Sequence, residues 1–508
     1  MNAKQCHALA SAVLAAAAWS TIGLGQQLAA ENAAGVDAEY YGAKTCVACH
    51  RTAEQSNYAQ QVSGHILLDE YTTWRYKDKH SLAYCVLDGD LSRRMGELLG
   101  YDDVTKDKRC TSCHAPQHER THLDGAPHAA EGVSCETCHG PAAKWYGPHQ
   151  FDTWRGVPAE KKRDEYGMTN LEDPVTRSAL CTSCHVGGGE GRIVTHAMYA
   201  AGHPPLPSVE IGYYSDAMPR HWRYEHEKQR TAAGGAAAVE RDFERTKLVL
   251  VGAAVSLGAA ADSIAHQTAD ENGWPELAQF DCAACHHDLK YPSWRQERGY
   301  AGRPGRPTPR LSPLPVVQLS ALLAGRGDDE LEAAILPVYA AFDARPFGDP
   351  PAIQAASERL KGWSDDIVTA LSTTDFDEAA AQSALRQLCD IAVARTPDYD
   401  AARQIAWAMK MIYSDLHPDE RNWHPQAASI FGQLDSQLRL TFPPRATADQ
   451  EPDDPPRPAN EPDRMCADVP PEGPIIMTLP AALKTMPTYD PDAFQAAVAE
   501  FARLLDSP

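Results

Sequence analysis

The chain has 508 residues, of which 43% are hydrophobic and 23% charged, and its formal net charge is -22 at pH 7. This length predicts more than one domain with an apolar core, and the 38 prolines and 34 glycines predict much irregular chain. A strongly acidic chain without a basic stripe cannot neutralise phosphates, which excludes nucleic acid as a partner.

The first segment has the pattern of an export signal. Lys4 precedes an apolar, alanine-rich run from Ala8 to Ala18, and small residues follow from Ser20 onward. We predict a signal peptide over residues 1–25 and an exported, periplasmic protein, with an uncleaved membrane anchor as the alternative. Export would place the cysteines in an oxidising compartment, where disulfides form.

One pentapeptide, Cys-x-x-Cys-His, occurs five times and is the signature of c-type haem attachment. Cysteines three residues apart share one face of a helical turn, so both can form thioethers with a haem while the following histidine binds its iron. A zinc ribbon and a thioredoxin-like pair are the alternatives, but neither requires a histidine after each second cysteine. The pattern predicts five covalently bound haem c groups, attached and ligated at Cys46, Cys49 and His50; Cys110, Cys113 and His114; Cys135, Cys138 and His139; Cys181, Cys184 and His185; and Cys282, Cys285 and His286.

The second ligand of each iron bears on the function. An iron with imidazole on both faces suits electron transfer, whereas an iron with a vacant face can bind a small molecule. His149 follows His139 too closely to reach the opposite face of the same haem, so we predict that it serves an earlier motif. The candidate second ligands are His65, His80, His149, His196 and His203. Seven further histidines compete with them: His118, His122, His128, His221, His226, His266 and His287.

Four stretches carry a family resemblance: GVSCETCHGPAAKWYGPH, KDKHSLAY, MYAAGHPPL and FDCAACHHDLKYPSWRQ. They resemble the blocks of the multihaem cytochromes related to cytochrome c-554, within the hydroxylamine oxidoreductase-like group, over residues 39–300. The resemblance implies a mostly helical, extracytoplasmic electron-transfer protein with closely packed haems, in which the five candidate histidines are second ligands. Four haems are usual in that family, so the fifth motif is a departure that leaves the pairing of histidines with irons open.

The predicted fold class is mainly α: a haem-packed multihaem cytochrome domain with little sheet, followed by an all-α C-terminal helical domain. Prolines, glycines and acidic residues mark the boundaries between segments. We predict a pentahaem domain over residues 36–300, a Pro/Gly linker over 301–312, a helical domain over 313–442, an acidic Pro-rich linker over 443–475 and a C-terminal helical segment over 476–508.

Apolar periodicity predicts the longer helices. An apolar helix from Ala237 to Thr268 is expected to support the haem cluster as buried core, because its most apolar part is short for a membrane span and flanked by charge. An antiparallel bundle or stacked hairpins are predicted from helical spacing over Leu331–Phe342, Ala352–Leu371, Glu378–Ala394, Ala401–Leu416 and Ala427–Leu440. A final amphipathic helix around Phe494 to Leu504 either docks back or binds a partner.

Cys6, Cys85, Cys389 and Cys466 lie outside the motifs. Cys389 shares helical spacing with apolar neighbours, which predicts a buried core thiol, and a disulfide between Cys389 and Cys466 is the alternative.

Together these patterns predict a periplasmic electron carrier with mostly bis-histidine haems. The alternative is a multihaem oxidoreductase in which one open haem acts on a small nitrogen or oxygen compound. Redox partner proteins are expected, either a basic protein steered by the acidic surface or another cytochrome, although the charge could serve solubility alone. A third interpretation makes the C-terminal helices a platform in a membrane-associated redox complex; the oligomeric state stays open.

Overall fold

The computed structural model describes residues 39–51, 66–117, 121–122, 129–188, 191–206, 208–232, 242–269, 273–298, 309–311, 313–395, 398–438, 466 and 479–506. The predicted signal peptide, His65 and nearly all of the two predicted linkers lie outside the described residues. The division into domains therefore stays a prediction.

Helices account for nearly all regular structure in the described residues, which confirms the mainly α fold class. One two-stranded parallel sheet pairs Glu39–Tyr40 with Thr121–His122. In the motif region the α-helices are Ala43–His50, Glu70–Lys77, Asp90–Leu99, Lys108–His114, Cys135–His139, Ala159–Tyr166, Pro174–His185, His196–Ala201, Ile211–Ala217, Glu225–Ala232, Glu244–Ala269 and Trp294–Arg298. The C-terminal helices are Leu314–Leu323, Asp328–Asp343, Pro350–Ser372, Glu378–Ala394, Tyr399–Leu416, Pro425–Gln437, Leu479–Thr485 and Pro491–Leu505.

Glu244–Ala269, called the long helix below, joins the motif region to the C-terminal helices. It packs against Pro350–Ser372 on one side and against Pro174–His185, which carries the fourth motif, on the other. Gly252 permits a close approach, since a Cβ there would lie 2.9 Å from the Cβ of Ile211. Within the described residues the long helix alone has the length and apolar composition of a membrane span, yet 72% of its most apolar window is buried inside the protein, as expected for a core helix.

The C-terminal helices share one apolar core with the long helix. Each predicted helix is present, and Asp377 and Asp398 cap two of them by accepting hydrogen bonds from backbone N–H groups in the first turn. The final helix docks back: Phe494, Val498 and Phe501 are completely buried. Its apolar face is thereby used inside the protein.

The cysteines outside the motifs are partly as predicted. Cys389 is a buried free thiol, which confirms the core assignment. The alternative disulfide between Cys389 and Cys466 is wrong, because Cys466 is bonded to Cys85, with 4.9 Å between the two Cα atoms. Cys389 lies among the C-terminal helices, whereas Cys466 reaches the motif region. The disulfide thus ties a residue of the predicted acidic linker to the region of the motifs.

Candidate haem-binding sites

Each motif forms the turn that its spacing predicts. The first four histidines are the last residues of α-helices, and the fifth follows a 3-10 turn at Cys282–Ala284. Local caps begin several of these turns: Asp107, Asp173 and Asp281 each accept a backbone N–H, and Ser134 forms a capping box with Thr137. The cysteines of one motif therefore share a helical face.

Every motif histidine faces a second histidine from elsewhere in the chain. We number the sites by motif order, and the two ring centroids are 6.1 to 6.4 Å apart at all five. The pairs are His50 with His149 at site 1, His114 with His203 at site 2, His139 with His221 at site 3, His185 with His80 at site 4, and His286 with His196 at site 5.

This separation fits one metal ion between two imidazoles. A metal–nitrogen bond of about 2.0–2.1 Å, added to about 1.1 Å from the nitrogen to its ring centre, separates two trans ring centroids by about 6.3 Å. Aromatic rings in contact spread over about 4.5–7 Å, so the informative feature is that the separation is nearly constant. The same separation at five unrelated pairs therefore points to a common occupant.

Hydrogen bonds fix several of these rings through Nδ1. Nδ1 lies 2.8 Å from Glu70 Oε2 in His50 and 3.0 Å from Asp78 Oδ1 in His80. The rings of His114, His149 and His203 instead place Nδ1 against backbone carbonyl oxygens at 2.5 to 2.7 Å. A ring that donates from Nδ1 keeps Nε2 unprotonated and aimed at a metal, which is the usual outer-shell arrangement for ligating histidine.

The ionisation of these histidines suits metal binding. Burial lowers the pKa of His139, His185 and His203 to about 4. These rings are therefore neutral at pH 7, the form in which imidazole binds a metal. His50 behaves differently: burial alone would lower its pKa, but the hydrogen bond to Glu70 raises it above the ordinary value.

A large cavity provides room for the cofactor. Its volume is about 1060 Å³, above the roughly 300–1,000 Å³ of ordinary small-molecule pockets. Its walls include the paired cysteines of sites 2 and 4, Cys138 of site 3 and Cys282 of site 5. The residues thus fit a set of closely packed haems better than a single small ligand.

Neighbouring sites are held together by direct contacts. The side chains of Cys46 and Cys135 are neighbours, which brings sites 1 and 3 together, and those of Cys113 and Cys184 bring sites 2 and 4 together in the same way. Glu136, inside the third motif, accepts hydrogen bonds from the backbone N–H groups of Tyr41 and Gly42 just before the first. This buried carboxylate fixes the motif helices of sites 1 and 3 relative to each other.

The structure places four of the five candidate second ligands, His80, His149, His196 and His203, opposite motif histidines. His149 faces the histidine of the first motif rather than its neighbour His139. Gly140 ends the third motif helix at φ 81, where a Cβ would lie 2.3 Å from the carbonyl oxygen of Gly167, and the chain then turns away toward site 1.

His221 is the residue that sequence reasoning missed. The sequence places it only among the competing histidines, yet its ring faces His139 at 6.4 Å and contacts Trp222 at 5.3 Å. Of the other competitors whose side chains the structure describes, His226 pairs with Asp242, His266 is exposed, and His287 places Nδ1 2.9 Å from the carbonyl oxygen of Asp288. The adjacent aromatic residue was the one local signal for His221, because Trp145 and Tyr146 flank His149 in the same way.

A mainly helical fold that carries Cys-x-x-Cys-His turns, with their histidines facing further imidazoles, defines a c-type cytochrome with covalently bound haem. Residues 63–140 match the family model for cytochrome c554 and c-prime. The chain is also similar to cytochrome c-554 of Nitrosomonas europaea, with 27% identity over 180 residues, which is 34% of this chain and 66% of that relative. No solved structure matches. The motif region is thus similar to the cytochrome c-554 family, and the family model itself matches residues 63–140.

Proposed function

We propose that this protein is an exported pentahaem cytochrome that carries electrons through five bis-histidine sites. The observation that supports this most is the common ring separation of 6.1 to 6.4 Å at all five motif histidines. A haem held at each site supplies a one-electron iron couple, and the two imidazoles keep its coordination unchanged between oxidation states. The name of the relative is cytochrome c-554, which agrees with electron transfer as the function.

An enzyme with an open iron needs a motif histidine with no imidazole opposite. Each of the five motif histidines faces another histidine, so the geometry favours a carrier over an oxidoreductase that acts on a small nitrogen or oxygen compound. The hydrogen bonds at Nδ1 support this further, because they hold His80, His149 and His203 in the orientation that a permanent second ligand requires.

Contacts between sites support a single electron path in the order 1, 3, 4, 2, 5. Beyond the cysteine contacts of sites 1 with 3 and 4 with 2, Cys138 of site 3 lies close enough to Cys181 of site 4 to interact electrostatically. Sites 2 and 5 are joined by the helix His196–Ala201, which begins with the second histidine of site 5 and precedes His203 of site 2.

The two ends of this path are the most accessible. Among the motif cysteines only Cys49 of site 1 and Cys285 of site 5 are exposed. Apolar side chains stand in solvent beside each end: Phe151 is 67% exposed near His149, and Leu289 is completely exposed just after His286. We propose that electrons enter and leave at these ends, through contact with redox partner proteins.

Export to the periplasm follows from the apolar run after Lys4 and from the covalent haem of the class. The acidic net charge of -22 favours a basic redox partner. Expression of the full chain in a host that matures c-type cytochromes tests both cofactor number and export. We expect a periplasmic protein whose intact mass shows five haems and loss of the first residues. A mass showing four haems or fewer would contradict the pentahaem assignment.

A further inference from the structure

The cavity shared by sites 2, 4 and 5 has a cationic corner built by residues outside the motif region. Arg403 lies in the first turns of helix Tyr399–Leu416, and Arg310 lies near the end of the predicted Pro/Gly linker. Both line the cavity together with Cys282 and His203. The C-terminal helices therefore contribute side chains directly to the volume in which the cofactors would sit.

Arg403 is almost fully buried yet incompletely paired. Its side chain is 5% exposed overall, its guanidinium lies 4.7 Å from the Trp407 ring, and its Nη1 is 4.0 Å from Asp400 Oδ1. Its Nε has no hydrogen-bond partner among the described residues. A buried donor on a charged group is costly to leave unpaired, so this atom indicates a missing acceptor.

The charges around the corner leave a cation in excess. Arg310 Nη2 lies 3.3 Å from Asp400 Oδ2, so one carboxylate serves two guanidinium groups. Two further carboxyl groups stand nearby, but burial raises the pKa of Asp398 to about 7 and also raises that of Asp281. These carboxyl groups are therefore partly protonated at neutral pH, and they neutralise less of the positive charge of the two arginines.

We propose that Arg403 and Arg310 bind a propionate carboxylate of a haem in this cavity. A carboxylate would complete the pairing of Arg403 Nε and supply the missing negative charge, and the planar guanidinium matches a carboxylate in two-point contact. Arg403 and Arg310 are then positioning residues that tie the C-terminal helices to the cofactor and adjust its potential. This inference rests on the proposed haem loading.

The test uses the full, haem-loaded protein with Arg403→Gln, Arg310→Gln and Arg403→Lys. Arg421→Gln is the control, because Arg421 is 90% exposed in the turn that follows the helix of Arg403. Potentials are read by spectroelectrochemistry. Loss of a cation beside a propionate disfavours the reduced state, so we expect one component to become about tenfold harder to reduce, a shift of about 59 mV for a one-electron couple. Arg403→Lys should recover part of the shift.

A second readout is the pH dependence of the shifted component. A propionate that has lost its cation should bind a proton more readily, so its potential should vary with pH where that of the wild type does not. Unchanged potentials in haem-loaded Arg403→Gln and Arg310→Gln, even with lowered thermal stability, would overturn the proposal and leave Arg403 a packing residue. If Arg403→Gln does not fold, Arg310→Gln and Arg403→Lys decide. If the purified wild-type protein carried no covalent haem, that result would contradict the proposed function itself.

Discussion

Replacing Glu70 by Gln should raise the potential of one haem, the one at site 1. Glu70 Oε2 accepts from His50 Nδ1 at 2.8 Å, and Oε1 accepts from the backbone N–H groups of Leu67 and Leu68. Burial alone would raise the pKa of Glu70, but these hydrogen bonds lower it below the ordinary value, so the group is ionised at neutral pH. An ionised acceptor makes His50 a stronger donor to iron and favours the oxidised state.

The size of the effect follows from the loss of charge in this hydrogen bond. A hydrogen bond to a charged group contributes about 1.5–3 kcal/mol and a neutral one about 0.5–1.5 kcal/mol; the corresponding ends of these ranges differ by about 1–1.5 kcal/mol, which is what Glu70→Gln removes. The larger difference corresponds to about 60 mV for a one-electron couple, in the positive direction. The full shift requires that the bond acts entirely on the oxidised state, so about 60 mV is an upper bound.

Spectroelectrochemical titration of the purified protein measures this shift. One component should move upward while the others stay in place. Asp78→Asn should do the same to a different component, because Asp78 holds His80 at site 4. Glu160→Gln, at an exposed position, is the matched control and should change nothing. A downward shift, or five unchanged components in Glu70→Gln, would refute the reasoning about the outer hydrogen bond.

Three further predictions concern the disulfide, a buried carboxyl and the surface charge. The double variant Cys85→Ser/Cys466→Ser should lose about 2–4 kcal/mol of unfolding free energy in chemical denaturation. A disulfide reductant should lower the stability of the wild type to the same value and leave the variant unchanged. Equal stability of oxidised and reduced wild type would contradict this prediction. Burial raises the pKa of Glu210 from 4.5 to about 7, so between these pH values the folded state keeps a proton that the unfolded state has lost. Stability should therefore fall as pH rises from about 4.5 to about 7, and Glu210→Gln should flatten that fall in thermal melts. An unaltered slope in the variant would contradict this prediction. Reduction by a basic redox protein, measured by stopped flow, should slow as salt rises from about 0.01 to 0.15 M, because the screening length shortens from about 30 to 8 Å. The rate of reduction by a neutral mediator should not change. Equal salt dependence for both would contradict electrostatic steering.

Much of the fold was accessible from local sequence. Helical periodicity places Glu378–Ala394 at the bounds that the structure shows, because its apolar face and its Asp377 cap are both local features. The Cys-x-x-Cys-His turns were equally accessible, since their chemistry depends on residues within one turn.

Long-range partners were not accessible in this way. His221 lies 82 positions after His139, and nothing near it in sequence indicates which ring it faces. Cys85 and Cys466 are separated by 381 positions, so their pairing depends on how the C-terminal segment returns to the motif region. The contribution of Arg403 to the cavity is likewise a tertiary feature, because its helix reads from sequence as an ordinary amphipathic core helix.

The central claim is that five irons each lie between two imidazoles, and electron paramagnetic resonance of the fully oxidised protein tests it most directly. Ring planes are near parallel at sites 1 and 5, at 13° and 23°, and steeply inclined at sites 2, 3 and 4, at 82°, 67° and 87°. Parallel rings split the iron orbitals that interact with them, whereas perpendicular rings leave those orbitals close in energy.

We therefore expect low-spin signals only, two rhombic and three highly anisotropic, unchanged by cyanide or nitric oxide. A high-spin signal that disappears when either ligand is added would show an open iron and contradict the account.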